Sequence, residues 1–187
     1  MGTSKNAASP NTPPWRPALA ALGRDGVPSS RQTQEIWRSA LADRGSRLLD
    51  DFAAPTLAHA CKMAETSSNV SDALREYQGL LAREKRSGLA AEIGRRALAR
   101  AVSSKQGSQG FAEELFAEAA CYYASRDLPS FVGARGRVAT TSGAIELKAK
   151  IKETSKRITK SVGKPATDSD GWATYVKRVL SDLGGGH

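Results

Sequence analysis

Apolar residues recur along most of this chain three and four positions apart, which is the spacing of one face of an α-helix. Residues 89–102 illustrate the pattern, with Ile93, Ala97, Leu98, Ala101 and Val102 on one side and Arg95, Arg96 and Arg100 on the other. The stretch Phe131–Val138 contains Gly and Arg and is either a loop or one short strand. We therefore predict an all-α chain, with six to seven helices packed as a single bundle-like domain.

Breakers and capping residues suggest where the helices begin and end. We expect a first helix that begins near Arg31 or Thr33 and ends or kinks at Gly45. Further helices are expected over Pro55–Glu65, Ser71–Gly88, Leu89–Val102, Phe111–Ser125 and Ser142–Val162, and a last one from Ser169 or Asp170 to Leu183. Ser71 is a predicted N-cap, residues 103–110 a polar connector, and Gly163 with Pro165 a stop signal. Each helix buries one apolar face against the others.

The helix over Phe111–Ser125 is the most apolar and should lie at the centre of the domain. Its predicted buried stripe consists of Phe111, Leu115, Ala119 and Tyr122, widened by Phe116, Ala120 and Tyr123. Paired acidic residues occur at Asp50-Asp51 and at Glu113-Glu114. Neighbouring residues on a helix point about 100° apart, so we interpret both pairs as surface charges.

The N-terminal segment has a different composition. Residues 1–30 contain five prolines and few large apolar residues, a composition that disfavours helices and cannot form a core. Trp15 is the large apolar anchor of this segment. The predicted organisation is a flexible, disordered Pro-rich arm over residues 1–30 followed by a helical domain over residues 31–187.

Charge adds a candidate binding surface. The net charge is +9, and residues 131–187 carry +6 of it, with eleven Lys and Arg against five Asp and Glu. Such an excess favours polyanions or acidic partner surfaces. On the helix Ser142–Val162, the candidate polyanion-binding residues are Lys148, Lys152, Lys156, Arg157 and Lys160. The pattern lacks interleaved aromatic residues, so a solvated helix face is the favoured interpretation, and an acidic protein partner is equally allowed.

The sequence offers no catalytic constellation. His59 and Cys61 lack the further ligands that a metal site requires, and no phosphate-binding GxxxxGK[ST] motif occurs. Gly133 to Gly136 match the GxxG of KH domains, but the surroundings favour a plain turn. We expect a protein that is not an enzyme and has no cofactor or metal.

Two cysteines sixty positions apart, Cys61 and Cys121, do not form the dense pattern of a disulfide framework and indicate reduced thiols. The chain has no apolar run of about 18 residues, no signal-peptide core and no myristoylation pattern. We expect a cytoplasmic protein without a membrane anchor.

Two short motifs in the arm carry a family resemblance: Met1-Gly2-Thr3-Ser4, and Pro13-Pro14-Trp15 after a polar linker. This start resembles that of QatB-like proteins, the B component of the Qat anti-phage defence systems. The resemblance covers about sixteen of 187 residues. It implies three partners: a P-loop ATPase, a TatD-like nuclease, and a QueC-like enzyme for which the N-terminus of the B component is a substrate.

Modification at Gly2 is chemically reasonable. Met1 is removable before a small residue, and the exposed α-amine, with a pKa of about 8, is partly neutral and nucleophilic. An activated deazaguanine carboxylate would form an amide there. Our leading hypothesis is a non-enzymatic defence component with a modified Gly2, a recognition arm of Thr3, Ser4, Pro13, Pro14 and Trp15, and a helical body that docks on partners. The alternative is a small basic helical nucleic-acid-binding subunit.

Overall fold

A computed structural model describes residues 47–127 and 141–185, together with Gln34 and Trp37. These residues form six long helices, preceded by a short helical segment over residues 47–52, and they contain no strand. The helices are α1 (Pro55–Thr66), α2 (Val70–Arg83), α3 (Leu89–Ser103), α4 (Gly107–Asp127), α5 (Thr141–Ser161) and α6 (Ser169–Leu183). The all-α prediction is confirmed.

Local signals start three of the helices. Pro55 occupies the first turn of α1, where no amide donor is needed. The side chain of Asn69 caps α2 by accepting hydrogen bonds from the amides of Ser71 and Asp72, at 2.8 and 3.3 Å. The predicted cap at Ser71 is therefore wrong by two residues. Asp168 caps α6 in the same way, since its side chain accepts from the amide of Gly171 at 2.8 Å.

Two other boundaries differ from the prediction. The α2 helix ends at Arg83, five residues before Gly88, and Gly88 adopts a positive φ of 106° directly before α3. The α4 helix begins at Gly107, inside the predicted polar connector, because the chain between α3 and α4 turns in only three residues. The predicted helix near residue 31 and the Gly133–Gly136 turn lie outside the described residues, except that Gln34 and Trp37 are helical and Trp37 is buried.

The α4 helix is the centre of the domain, as its composition predicts. It packs against α1, α3 and α5, and Phe111, Leu115 and Phe116 are fully buried. Five buried alanines on the same helix bring neighbouring backbones close: Ala112, Ala117, Ala119, Ala120 and Ala124. An aromatic cluster joins α4 to the rest of the core, with Phe52 stacked on Phe116 at 5.8 Å between ring centroids.

Close contacts fix the outer helices around this core. A Cβ atom on Gly94 would lie 2.5 Å from Cδ2 of Leu57 and 2.6 Å from the hydroxyl of Tyr77, so α3 approaches α1 and α2 through a glycine. The indole Nε1 of Trp172 on α6 donates to the carbonyl of Phe52 at 2.9 Å. One continuous core therefore spans all six helices.

Within the part of the chain that the structure describes, none of the helices combines the length and apolarity that a membrane span requires.

Candidate functional site

An ion network joins α3, α4 and α5 on one side of the domain. Glu114 and Glu118 lie one turn apart on α4, and Lys152 and Lys156 lie one turn apart on α5. The Nζ of Lys152 is 2.6 Å from Oε1 of Glu118 and 3.4 Å from Oε2 of Glu114. Lys156 pairs with Glu114, and Arg100 of α3 contacts both carboxylates, with Nη1 3.1 Å from Oε2 of Glu114. Three cations thus surround two acids.

The environment keeps both acids ionised. Burial opposes the charged form of Glu114, but the hydrogen bond from Lys156 and the charge of Lys152 outweigh it and lower the pKa of this carboxyl. Burial also opposes the charged form of Glu118, but Lys152 and Arg100 outweigh this effect. The pKa of Glu118 is therefore lowered as well. The side chains of Glu114 and Glu118 are only 9% and 14% exposed, so the network is part of the packed interface.

This arrangement corrects the interpretation of Glu113-Glu114 as a surface pair. Glu114 is buried, whereas Glu113 is only half-buried and accepts a hydrogen bond from Gln109 at 3.1 Å. The sequence does contain a signal for this buried pairing. Acids four residues apart on the most apolar helix match lysines four residues apart on the most basic one, and such pairs can align across a helix interface.

The candidate polyanion-binding residues therefore do not share one environment. Lys152 and Lys156 are directed at Glu118 and Glu114, and their side chains are 26% and 31% exposed. Lys148 is half-buried, whereas Arg157 and Lys160 are exposed. The lysines that recur every four residues from Lys148 to Lys160 shift around the helix by about 40° at each step, because a helix has about 3.6 residues per turn. The middle of this row of lysines thus faces α4 while its end turns toward solvent.

A groove lies between the start of α3 and the end of α4. It encloses about 370 Å³ and is lined by Leu89, Glu92, Ile93, Arg96, Glu118, Cys121, Tyr122 and Ser125. Tyr122 is 44% exposed, so its predicted place in the buried stripe is wrong. Phe111, on the same stripe, is covered by Trp172 at 6.0 Å between ring centroids. At this end of α4 the described residues that line the groove come from the first turns of α3 and from α4 itself.

Trp37 links the chain before α1 to this end of α4. Its ring packs edge-on against Phe116 and Tyr123, with centroid distances of 6.4 and 6.2 Å. Its Nε1 donates to Oγ of the buried Ser155 on α5 at 3.2 Å. Tyr123 in turn meets Tyr122 edge-on at 5.6 Å, so a chain of aromatic contacts runs from Trp37 to the groove.

The described nucleophiles are held in their neutral forms. Burial raises the pKa of Cys61 to about 12, and Cys121 is shifted in the same direction by the same cause. Both cysteines are free thiols, and the Sγ of Cys61 lies 3.8 Å from the carbonyl of Ser108. His59 sits at the surface, 3.8 Å from a carboxylate oxygen of Glu76. Among the described residues, no three His, Cys, Asp or Glu side chains converge as a metal site.

The arm residues predicted to carry function lie outside the described residues: Gly2, Thr3, Ser4, Pro13, Pro14 and Trp15. The predicted modification site therefore stays a prediction.

Comparisons with protein families, with characterised proteins and with solved structures found no match to this chain.

Proposed function

We propose that this chain is a non-enzymatic, cytoplasmic component of a bacterial anti-phage defence system. In this proposal a QueC-like partner modifies the α-amine of Gly2, and the helical body docks on partner proteins. A P-loop ATPase and a TatD-like nuclease are the further partners that the resemblance of the N-terminal motifs implies. The N-terminus is thus the reactive part of the chain, and the helical body is unreactive.

The observation that carries the proposal for the body is the direction of its pKa shifts. Catalytic acids and bases usually have pKa values moved toward the working pH. In the described residues every pKa shift that is resolved moves the group's pKa further from neutral pH. The pKa values of Cys61, Tyr77 and Tyr175 are raised by burial, and those of Glu92 and Glu114 are lowered. Groups shifted in this way hold one protonation state and suit a scaffold.

The packing of the described helices supports a scaffold role as well. The network of Glu114 and Glu118 ties α4 to α3 and α5, and Trp172 ties α6 to the segment before α1. Interfaces of this kind hold the helices in one arrangement. A body of fixed shape presents a constant surface to its partners.

The proposal for the N-terminus rests on the Met1-Gly2-Thr3-Ser4 motif and on the chemistry of glycine. After removal of Met1, Gly2 offers the least hindered α-amine, which is partly neutral near pH 8. This nitrogen would attack the acyl carbon of a carboxylate that the partner has activated. The amide C–N bond then forms as the bond to the activating group breaks, that group leaves, and the nitrogen loses a proton. Lys5 carries the nearest competing amine, but lysine amines are in general more basic than α-amines and are therefore less available as nucleophiles near neutral pH.

Intact mass spectrometry tests the proposal. The chain is produced with an active QueC-like partner, with an inactivated partner, and alone. We expect an added mass only with the active partner. Gly2→Leu is a suitable control, because a large second residue retains Met1 and moves the free amine away from position 2. An unmodified wild-type chain beside an active partner would refute the proposal.

The alternative function is nucleic-acid binding, and the exposed Lys160 together with the net charge of +6 over residues 131–187 favours it. Variants at Lys152 and Lys156 are poor tests, since these residues hold the internal network. Lys148→Gln with Lys160→Glu leaves that network intact. Binding to DNA or RNA that weakens with salt, and weakens further in this variant, would support the alternative. Binding that is unchanged in the variant would exclude the alternative function.

A further inference from the structure

The groove between α3 and α4 is an apolar recess that the described residues leave open. Leu89 and Ile93 form one side and Tyr122 the other. Among the described residues, Tyr122 and Ile145 are the large hydrophobic side chains left exposed, at 44% and 66%. A volume of about 370 Å³ lies in the lower part of the range for ligand pockets, roughly 300–1,000 Å³. The groove can therefore hold a short peptide segment.

The position of Trp37 shows which part of the chain is near. Trp37 packs on Tyr123 at 6.2 Å, and Tyr123 packs on Tyr122 at 5.6 Å, so the chain enters the described body two ring contacts from the groove. Residue 15 precedes residue 37 by 22 positions. An extended chain of that length spans up to about 70 Å, many times the distance required.

The chemistry of the N-terminal segment fits the groove. Trp15 is the only aromatic residue among residues 1–36, and it follows Pro13-Pro14. Consecutive prolines favour the polyproline II conformation, and segments of this type bind grooves lined by aromatic residues. At the rim of the groove, Arg96 is held by Glu92, with its Nε 2.9 Å from Oε1. A guanidinium fixed in this way is suited to stacking on an indole ring.

We propose that the segment Pro13-Pro14-Trp15 binds in the groove of its own chain, with the Trp15 ring against Tyr122, Leu89 and Ile93. Binding within one chain needs no partner and is independent of protein concentration. The proposal does not require that Gly2 be modified. If the proposed function also holds, docking keeps the N-terminus close to the body until a partner displaces the segment.

Collisional quenching of tryptophan fluorescence by acrylamide tests this proposal in the full chain. The chain has three tryptophans, and Trp37 and Trp172 are 1% and 0% exposed, so quenching in the native state reports mainly on Trp15. The Trp15→Phe variant gives the signal of the two buried residues. A peptide of residues 8–20 gives the value for a free Trp15.

We expect the quenching constant of Trp15 to be at least about threefold lower in the chain than in the peptide. This corresponds to the segment being bound in the groove in about two thirds of the molecules or more. Tyr122→Ala should raise it to the peptide value, while Ile145→Ala, which removes an exposed side chain outside the groove, should leave it unchanged. Circular dichroism confirms that each variant is folded.

Three results would overturn the proposal. A Trp15 that is quenched in the wild type as strongly as in the peptide would show that the segment does not dock. Protection that persists in folded Tyr122→Ala would place the segment elsewhere. Protection that disappears on dilution would identify a second copy of the chain as the occupant.

Discussion

Lys152 on α5 donates to Glu118 on α4 at 2.6 Å, although the two residues are 34 positions apart in the sequence. This pair and its neighbours join three helices through two nearly buried carboxylates and three partly exposed cations. The same contact removes Lys152 from the set of cations that are freely available to an external polyanion.

The first prediction concerns Glu114, the buried acid of this network. Glu114→Gln keeps the shape of the side chain but removes the charge that Lys156 and Arg100 share. We expect the free energy of unfolding to fall by about 1.5–3 kcal/mol, as for other hydrogen bonds to charged groups. Urea denaturation measures the change.

Glu113→Gln is the matched control, because Glu113 is the neighbouring acid, is half-buried and accepts a hydrogen bond from Gln109 in its own helix. Its effect should stay within about 0.5 kcal/mol. Equal effects of the two substitutions would contradict the role that we assign to the network.

The second prediction concerns acid. The pKa values of Glu114 and Glu118 lie below the ordinary value of 4.5 in the folded chain, because the cations around them outweigh burial. The stability that they contribute is complete above pH 4.5 and is lost as the pH falls through the folded values. We expect the free energy of unfolding to decrease steadily as the pH falls below 4.5.

The double variant Glu114→Gln with Glu118→Gln isolates this contribution. Its unfolding free energy should depend less steeply on pH over the same range than that of the wild type. The slopes are compared by urea denaturation at fixed ionic strength. Identical slopes would show that these two acids do not titrate differently on folding.

The third prediction uses two glycines in helices. Gly94→Ala places a methyl group against Leu57 and Tyr77, both of which are fully buried. Overpacking of this kind costs about 1–3 kcal/mol, more than the gain of up to about 1 kcal/mol in helix propensity. We expect a lower melting temperature.

Gly79→Ala in α2 is the control, since nothing lies within 4 Å of its added methyl group. Here the substitution changes only the helix propensity, which is higher for Ala than for Gly, so the melting temperature should rise. A stabilising Gly94→Ala would mean that α3 packs less closely on α1 and α2 than the structure indicates.

The fourth prediction concerns thiol reactivity. Burial raises the pKa of Cys61 to about 12, and Cys61 is fully buried, whereas Cys121 lies at the wall of the groove. A thiol reagent at pH 8 should therefore label both residues slowly in the native chain and Cys121 first. Cys121→Ser should remove the faster phase. Rapid labelling of Cys61 without unfolding would contradict this order.

The sequence predicted the features that depend on local periodicity. All five residues assigned to the inner face of α3 are buried, from Ile93 to Val102, because their spacing alone determines which side of the helix they occupy. The central position of α4 follows from its composition in the same way. Both conclusions need no knowledge of how the helices are arranged.

The features that the sequence analysis missed depend on how helices align with one another. Glu114 is buried because α5 brings Lys156 to it, and Tyr122 is exposed because α3 leaves a groove beside it. Periodicity places a residue on a face but does not say which helix covers that face, or along what length. The candidate site was for this reason less predictable than the fold.

In the function that we propose, the reactive group of this chain is the α-amine of Gly2. Tandem mass spectrometry of the N-terminal peptide, after production with an active QueC-like partner, tests it most directly. Our account predicts an acyl group on the nitrogen of Gly2, with Met1 removed and Lys5 unmodified. A peptide with a free Gly2 amine, or with the added mass on Lys5, would contradict the account.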